Sequence, residues 1–166
     1  MLTNQEVAEE LVKKFENDVF DFEEPHGLLT LTVSREQVIP ALEYLKNHPA
    51  FQISFLTDIT GVHYPDYLDR EFCVVYHAHS LVHNFRVRLK VFLPLSDIHV
   101  PTASGIYMSA NWMERETYDF FGIIFDGHPN LQRILNMDEM DYHPMRKEYP
   151  LEDGTRNDKI DALFGR

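Results

Sequence analysis

Two hydrophobic periods alternate along the 166-residue chain. Val7, Leu11, Val12 and Phe15 fall at helical steps behind Thr3 and Glu6, whose spacing is that of a capping box. Phe20 to Glu23 and Leu28 to Val33 then read as strands, with Pro25-His26-Gly27 turning the chain between them. Ser34 with Gln37 opens a second helix whose inward positions are Val38, Leu42 and Leu45. Pro40 would remove a donor from a running helix, which puts the regular part after Ile39, and His48-Pro49 closes it. Phe51, Ile53, Phe55, Thr57 and Ile59 alternate with polar residues as far as Val62, and residues 63–70 read as a loop around Pro65. Phe72 to His79 and Phe85 to Leu93 follow, close enough in sequence to pair as an antiparallel hairpin. On the second of these strands Phe85, Val87, Leu89 and Val91 face one way, while Arg86, Arg88 and Lys90 make a basic row on the other. Pro94 and Pro101 bracket a loop that leads to a third helix, where Ile106, Ala110, Met113, Thr117 and Phe120/Phe121 form one apolar stripe.

This order, α-β-β-α-β-β-β, predicts an α+β fold: a two-layer domain with one mixed sheet and helices over residues 1–100. A motif helix and turn follow at 101–135, and an extended tail at 136–166. On the motif helix Glu114, Arg115, Glu116 and Asp119 fall off the stripe, with Arg115 and Asp119 spaced i,i+4 so as to pair along a solvated face. Past Gly122 come Ile123, Ile124 and Phe125, the turn signals Asp126-Gly127 and His128-Pro129, and a short amphipathic segment with Leu131, Ile134 and Leu135. From Asn136 onward the period is lost, yet Met137, Met140, Tyr142, Met145, Tyr149 and Leu151 stand among Arg133, Arg146 and Lys147. Pro144 and Pro150 interrupt any ladder. Such a tail is expected to be extended or disordered in the free chain and to order by wrapping a partner. A chain ending near Leu135 should then keep most of its stability.

Net charge is −12, which argues against nucleic acid and for a partner with basic surface. The single cysteine, Cys73, leaves no intramolecular disulfide and no cysteine-ligated iron–sulfur cluster. No apolar run approaches the ~20 residues that cross a bilayer. The early acids Glu6, Glu9 and Glu10 fit neither a secretory signal nor a transit peptide, so a cytosolic prokaryotic protein is the simplest reading. His77, His79 and His83 could converge on an open zinc site and make the chain a free-standing metal-dependent hydrolase. Against this, no carboxylate or thiol stands near them at ligand spacing. Glu114 and Glu116 point apart on a helix, which disfavours paired acid/base catalysis. His128 is the stronger functional candidate among the histidines, with a turn histidine bonding to backbone as its plainer reading.

The run E-R-E-x-Y-D-x-F-G-I-x-F-x-G-H-P-x-L-x-R-I-L from Glu114, followed by P-x-R-K-x-Y-P from Pro144, resembles the C subunit of the proton-pumping NADH:quinone oxidoreductase, respiratory complex I. The chain departs from the pattern at Gln132, where a second basic residue is usual, and at Met140, Tyr142, Met145 and Glu148. The resemblance implies a non-catalytic, cofactor-free structural member of that complex, packed beside the quinone-site subunit and other hydrophilic-arm subunits. NADH, FMN, iron–sulfur clusters and quinone would sit in those partners, with electron transfer to quinone coupled to proton translocation. The chain would touch the membrane only indirectly, on the cytoplasmic side of the bacterial inner membrane. Interface contacts implied by the resemblance are Glu114, Arg115, Glu116, Asp119, His128, Arg133, Arg146 and Lys147, with Phe121, Phe125, Leu131 and Tyr149 filling apolar pockets. Arg115 is expected to meet carboxylates. The equivalent subunit of a membrane-bound hydrogenase-type complex is the alternative within the same superfamily.

Overall fold

A computed structural model describes residues 2–151. Helix α1, Asn4–Phe15, starts at Thr3, whose hydroxyl accepts from the Glu6 N–H while the Glu6 carboxylate accepts from the Thr3 N–H. The capping box is therefore closed. It buries Val7, Leu11 and Phe15. Strands β1, Val19–Glu23, and β2, Leu29–Val33, pair antiparallel. Helix α2, Val38–Asn47, begins earlier than the proline suggests. Pro40 sits in its first turn, where a backbone N–H has no helical partner to lose. Ser34 does not cap α2; its hydroxyl donates to Asp18 instead, and a 3-10 turn, Arg35–Gln37, leads in.

Strands β3, Phe55–His63, β4, Phe72–Ser80, and β5, Phe85–Leu93, complete a five-stranded mixed sheet in the order β1-β2-β5-β4-β3. Only the β2/β5 pair is parallel, and β4/β5 is the hairpin the alternation implies. Phe51 and Ile53 are buried as their spacing predicts, but they lie in the irregular stretch that precedes β3. The core is one cluster joining the inward strand residues to α1, α2 and helix α3, Ala110–Phe121. On the opposite face of β5, Arg86 is exposed while Arg88 and Lys90 are half-buried. Arg88 donates to His77 at 2.8 Å, and Lys90 reaches Glu23 across the sheet. Cys73 lies on this face too, buried, with burial pushing its thiol up to about 12. That thiol carries no thiolate chemistry near neutral pH.

At the β1 edge a register shift accompanies Asp21 at φ 52. Along the β3 edge α3 lies so close that Thr117 Oγ1 donates to Ile59 O at 3.3 Å, and Tyr107 donates to Ile53 O at 2.7 Å just before the strand. Gly61 makes the approach possible, because a Cβ there would stand 2.6 Å from Phe121 Cδ2. Two short strands were not legible in the sequence: β6, His99–Pro101, within the expected loop, and β7, Ile124–Asp126, pair parallel on either side of α3. The third helix is also shorter than its stripe, since Ile106 and Tyr107 form turns before it.

Candidate functional site

The residues of the motif gather around the two ends of α3. Thr102 and His128 stand just beyond the paired strands β6 and β7, and Thr102 N donates to Asp126 O at 2.9 Å. This pairing brings both to Glu114. The Glu114 carboxylate accepts from the Thr102 hydroxyl and, at 2.6 Å, from Ala103 N. Its exposure is 0%, on the same helix face as Ala110 and Thr117. It is thus a core residue rather than part of a solvated face. Burial pushes its carboxyl up to about 7, against the pull of those two bonds. His128 is likewise enclosed: Nε2 meets Asn111 O at 3.0 Å and Nδ1 accepts from Asn130 N at 3.0 Å. The backbone N–H aimed at Nδ1 leaves Nε2 as the donor to the Asn111 carbonyl, so both ring nitrogens are engaged by backbone. The plainer reading of His128, a turn histidine bonding to backbone, is the one realised.

At its other end α3 stops at Gly122, whose φ of 75 is the left-handed turn of a helix cap. The last carbonyls of a helix lack partners within it and carry the negative end of its dipole. Here the following segment supplies them all. Arg133 Nη1 and His143 Nδ1 reach Asp119 O at 3.1 and 3.0 Å, Met145 N donates to Phe120 O at 3.1 Å, and Arg146 Nε donates to Phe121 O at 2.7 Å. The Asp119 side chain, also 0% exposed, accepts from the N–H groups of Ile134, Leu135 and Asn136 on Oδ2 and from Arg133 and the Asn136 amide on Oδ1. Burial alone would raise this carboxyl, but those N–H groups and the guanidinium hold it well below the usual carboxylate range. Arg133, with a side chain 9% exposed, turns its other nitrogen to Met140 O and Tyr142 O at 2.7 and 2.9 Å. Further along, Lys147 N donates to Nδ1 of the buried His63, which stacks on Phe72 at 4.5 Å.

These contacts correct several expectations. Arg115 does not pair with Asp119, which has taken Arg133 instead. Within the chain itself Arg115 meets no carboxylate among the described residues: Nε and Nη2 bind the carbonyls of Gln132 and Arg133 at 3.1 and 2.9 Å, fixing the loop ahead of the tail. The segment at 131–135 forms no helix and is strung along α3 by Asp119. From 136 to 150 the tail has no regular element, yet it is fastened to its own domain instead of standing free. The expectation for 152–166 falls outside the described residues. Phe121 and Phe125 fill this chain's own core, while Leu131 is half-buried against it. Glu116, Lys147 and Tyr149 are exposed. Gly122 and His143 do more than the sequence reading assigned them: a Cβ at Gly122 would stand 2.5 Å from Arg146 Nη2 and 2.6 Å from His143 Cδ2. Thr102 and Ala103 went unseen because nothing in their spacing ties them to Glu114. Among the described residues no group of three His, Cys, Asp or Glu could hold a metal ion, and His77 and His79 bond Arg88 and Asn84. No described helix is long and apolar enough to cross a membrane.

The chain resembles the C subunit of NADH-quinone oxidoreductase from Nocardioides sp., 46% identical over 125 residues that cover 75% of this chain and 50% of that protein. The protein of the same name from Mycobacterium marinum is 42% identical over 153 residues, 88% of this chain and 64% of its own length. The chain thus spans about half to two thirds of the curated relatives it matches. Among solved structures, the trypsin-resistant fragment (1-134) of Nqo5 superposes with a TM-score of 0.66 at 34% identity, covering 76% of this chain and 98% of the fragment. A chain of the membrane-bound sulfane sulfur reductase, an archaeal respiratory membrane complex, gives 0.73 at 23% identity over 89% of this chain and 85% of its own, a likeness of fold. Residues 31–155, which run from within β2 through β7 and take in α3 and its clasp, match the family described as the 30 Kd subunit of respiratory-chain NADH dehydrogenase, and the chain belongs to that family.

Proposed function

We propose that this chain is a cofactor-free structural subunit in the hydrophilic arm of an NADH:quinone oxidoreductase, packed against the subunit that forms the quinone site. NADH, FMN, iron–sulfur clusters and quinone belong to its partners, and the chain meets the cytoplasmic face of the bacterial inner membrane only through them. The observation that carries this reading is how the motif spends its charges. Glu114, Asp119, His128, Arg133 and Arg146 bind groups of their own chain, most of them backbone. An acid, base or nucleophile needs a proton or lone pair free toward a cleft. These residues have theirs taken, and together they hold an irregular segment of large apolar side chains in place. The frame thus supports contacts made by Glu116, Leu131, Lys147 and Tyr149, with the described tail, 136–151, facing the partner.

Affinity purification of the tagged chain from its own host tests this. Subunits carrying flavin and iron–sulfur clusters should co-purify, and deleting the chain should abolish NADH:quinone activity in membranes until the intact chain is restored. Recovery as a lone protein, with membrane NADH:quinone activity untouched by the deletion, would overturn the reading. Co-purification with a sulfur reductase or hydrogenase would place the same scaffold in another complex.

A further inference from the structure

We propose that the outer face of α3 and the start of the clasped segment form one docking surface, built on Trp112, Leu135 and Met137, which takes a basic surface of a neighbouring protein with an apolar pocket. The proposal rests on the reading above, that the chain is part of a larger complex, and says which face is used and what chemistry it meets. Trp112 is the chain's single tryptophan and is 62% exposed on a helix whose other side is core. Leu135 and Met137 are 65% and 67% exposed. Aromatic and methionine side chains left in water at such cost mark interaction surfaces, and tryptophan is among the commonest anchors of binding energy.

The patch is also held rigid. The Arg115 guanidinium lies over the Trp112 ring at 5.3 Å, and the same guanidinium grips the Gln132 and Arg133 carbonyls. On the next turn of α3, Asp119 Oδ2 takes the N–H of Leu135 at 2.8 Å and of Asn136 at 2.9 Å. Trp112 and Leu135 are therefore presented by one frame that is ordered before binding, so little entropy remains to be lost.

Charge selects the occupant. Glu116 stands one turn along α3 from Trp112, and Asp138, Glu139 and Asp141 follow Met137 in the chain; all four are exposed and form no ion pair among the described residues. The neighbouring cations are already committed, Arg133 to Asp119 and Arg115 to carbonyls. An acidic rim around an apolar centre fits a partner that is basic around a cavity. It repels a second copy of a chain whose net charge is −12.

Hydroxyl-radical footprinting of the wild-type chain, free and in the complex purified from its host, tests the surface without any substitution. Trp112, Leu135 and Met137 should be labelled several-fold less in the complex, while Leu81 and Val82, exposed at the β4–β5 turn, keep their labelling. Equal labelling of the three in both states overturns the proposal. In a second arm, W112A should lower the share of chain recovered in the complex about tenfold, with the melting temperature of the free chain unchanged. The triple E116K/D138K/E139K should lower it too and remove its sensitivity to added salt. Wild-type recovery of both variants, or self-association through this face, would also refute it. If the wild-type chain joined some other complex, the assignment to an NADH:quinone oxidoreductase would fail, while the footprint would still decide the surface.

Discussion

Burial pushes the Glu114 carboxyl up to about 7, so folding takes up a proton there between the unfolded value of 4.5 and 7. The resulting stabilisation is fully present below about 4.5 and is lost as pH rises through 7. We expect E114Q to remove this slope: wild type minus variant should change by on the order of 3 kcal/mol between pH 5 and pH 8. The amide keeps an acceptor for Ala103 N, and the Thr102 hydroxyl already has Ser104 within 2.9 Å. Urea titrations of both proteins across that range give the answer, and parallel curves would show that Glu114 is ionised at no cost. Gly122 is the second residue whose identity decides something. At φ 75 an alanine pays about 1 kcal/mol for the left-handed turn. Its Cβ also pushes on His143, which is anchored to Asp119 O. G122A should therefore speed amide exchange at Met145 and Lys147 while sparing β4 and β5. Glu114 was misread in the sequence for a physical reason. A charge in an amphipathic helix is assigned to water by period alone, and the partners that permit its burial, Thr102 and Ala103, follow β6, a strand too short to be seen.

Helix α3 is held at its ends by what precedes and follows it in the chain. Its core positions are of mixed chemistry, with Glu114, Thr117 and Asp119 buried beside Ala110 and Phe121. The buried Asp119–Arg133 pair is satisfied on every side, so breaking one half leaves the other stranded. D119N should cost about 3–5 kcal/mol in equilibrium unfolding, because the guanidinium loses its counter-charge and an amide donor meets the N–H groups of Ile134, Leu135 and Asn136. A loss below about 1 kcal/mol would mean that the pair is hydrated and the clasp incidental. Sign follows from the depressed carboxyl: this stabilisation holds above the unfolded value near 3.8 and fades only as pH falls well below it. At this scale much was legible. The hairpin β4/β5, the capping box of α1 and the core face of β5 follow from local spacing, since their partners are close in sequence. What connects 119 with 133–146 has no period, and the i,i+4 rule pointed to Arg115 because it knows only neighbours on the helix.

As a whole the molecule is a sheet covered on one face by helices, with an irregular segment drawn back across the end of the last one. Lack of period in that segment correctly implied that it cannot satisfy its backbone alone, but the nearest donors and acceptors turned out to be its own domain's. Truncation should therefore carry a measurable cost in stability. Each bond from Arg133 to Met140 O and Tyr142 O, from His143, Met145, Arg146 and Lys147 is worth about 0.5–1.5 kcal/mol net. Ordering the residues that make them costs a comparable sum. A chain ending at Leu135 should thus lose about 1–4 kcal/mol, and the amides of Met145 and Lys147 should exchange by local opening well below the global unfolding energy. The balance should also depend on pH. Burial lowers both His63 and His143, the former pushed further by Arg146 and Lys147 and opposed by Glu148 and Glu71, the latter pushed by Arg146 and Arg133 and opposed by Asp119. Two imidazoles depressed below 6.5 stabilise the clasp fully above that value and less as pH falls through their folded values. A proton on His63 Nδ1 would displace the Lys147 N–H, leaving Glu148, 3.4 Å away, as the competing partner. Exchange at Lys147, corrected for its intrinsic rate, should accelerate between pH 7 and pH 5 in the wild type. It should do so less in H63Q, whose amide oxygen can accept from Lys147 at any pH. A rate independent of pH in both proteins would show that the tail is held without its histidines.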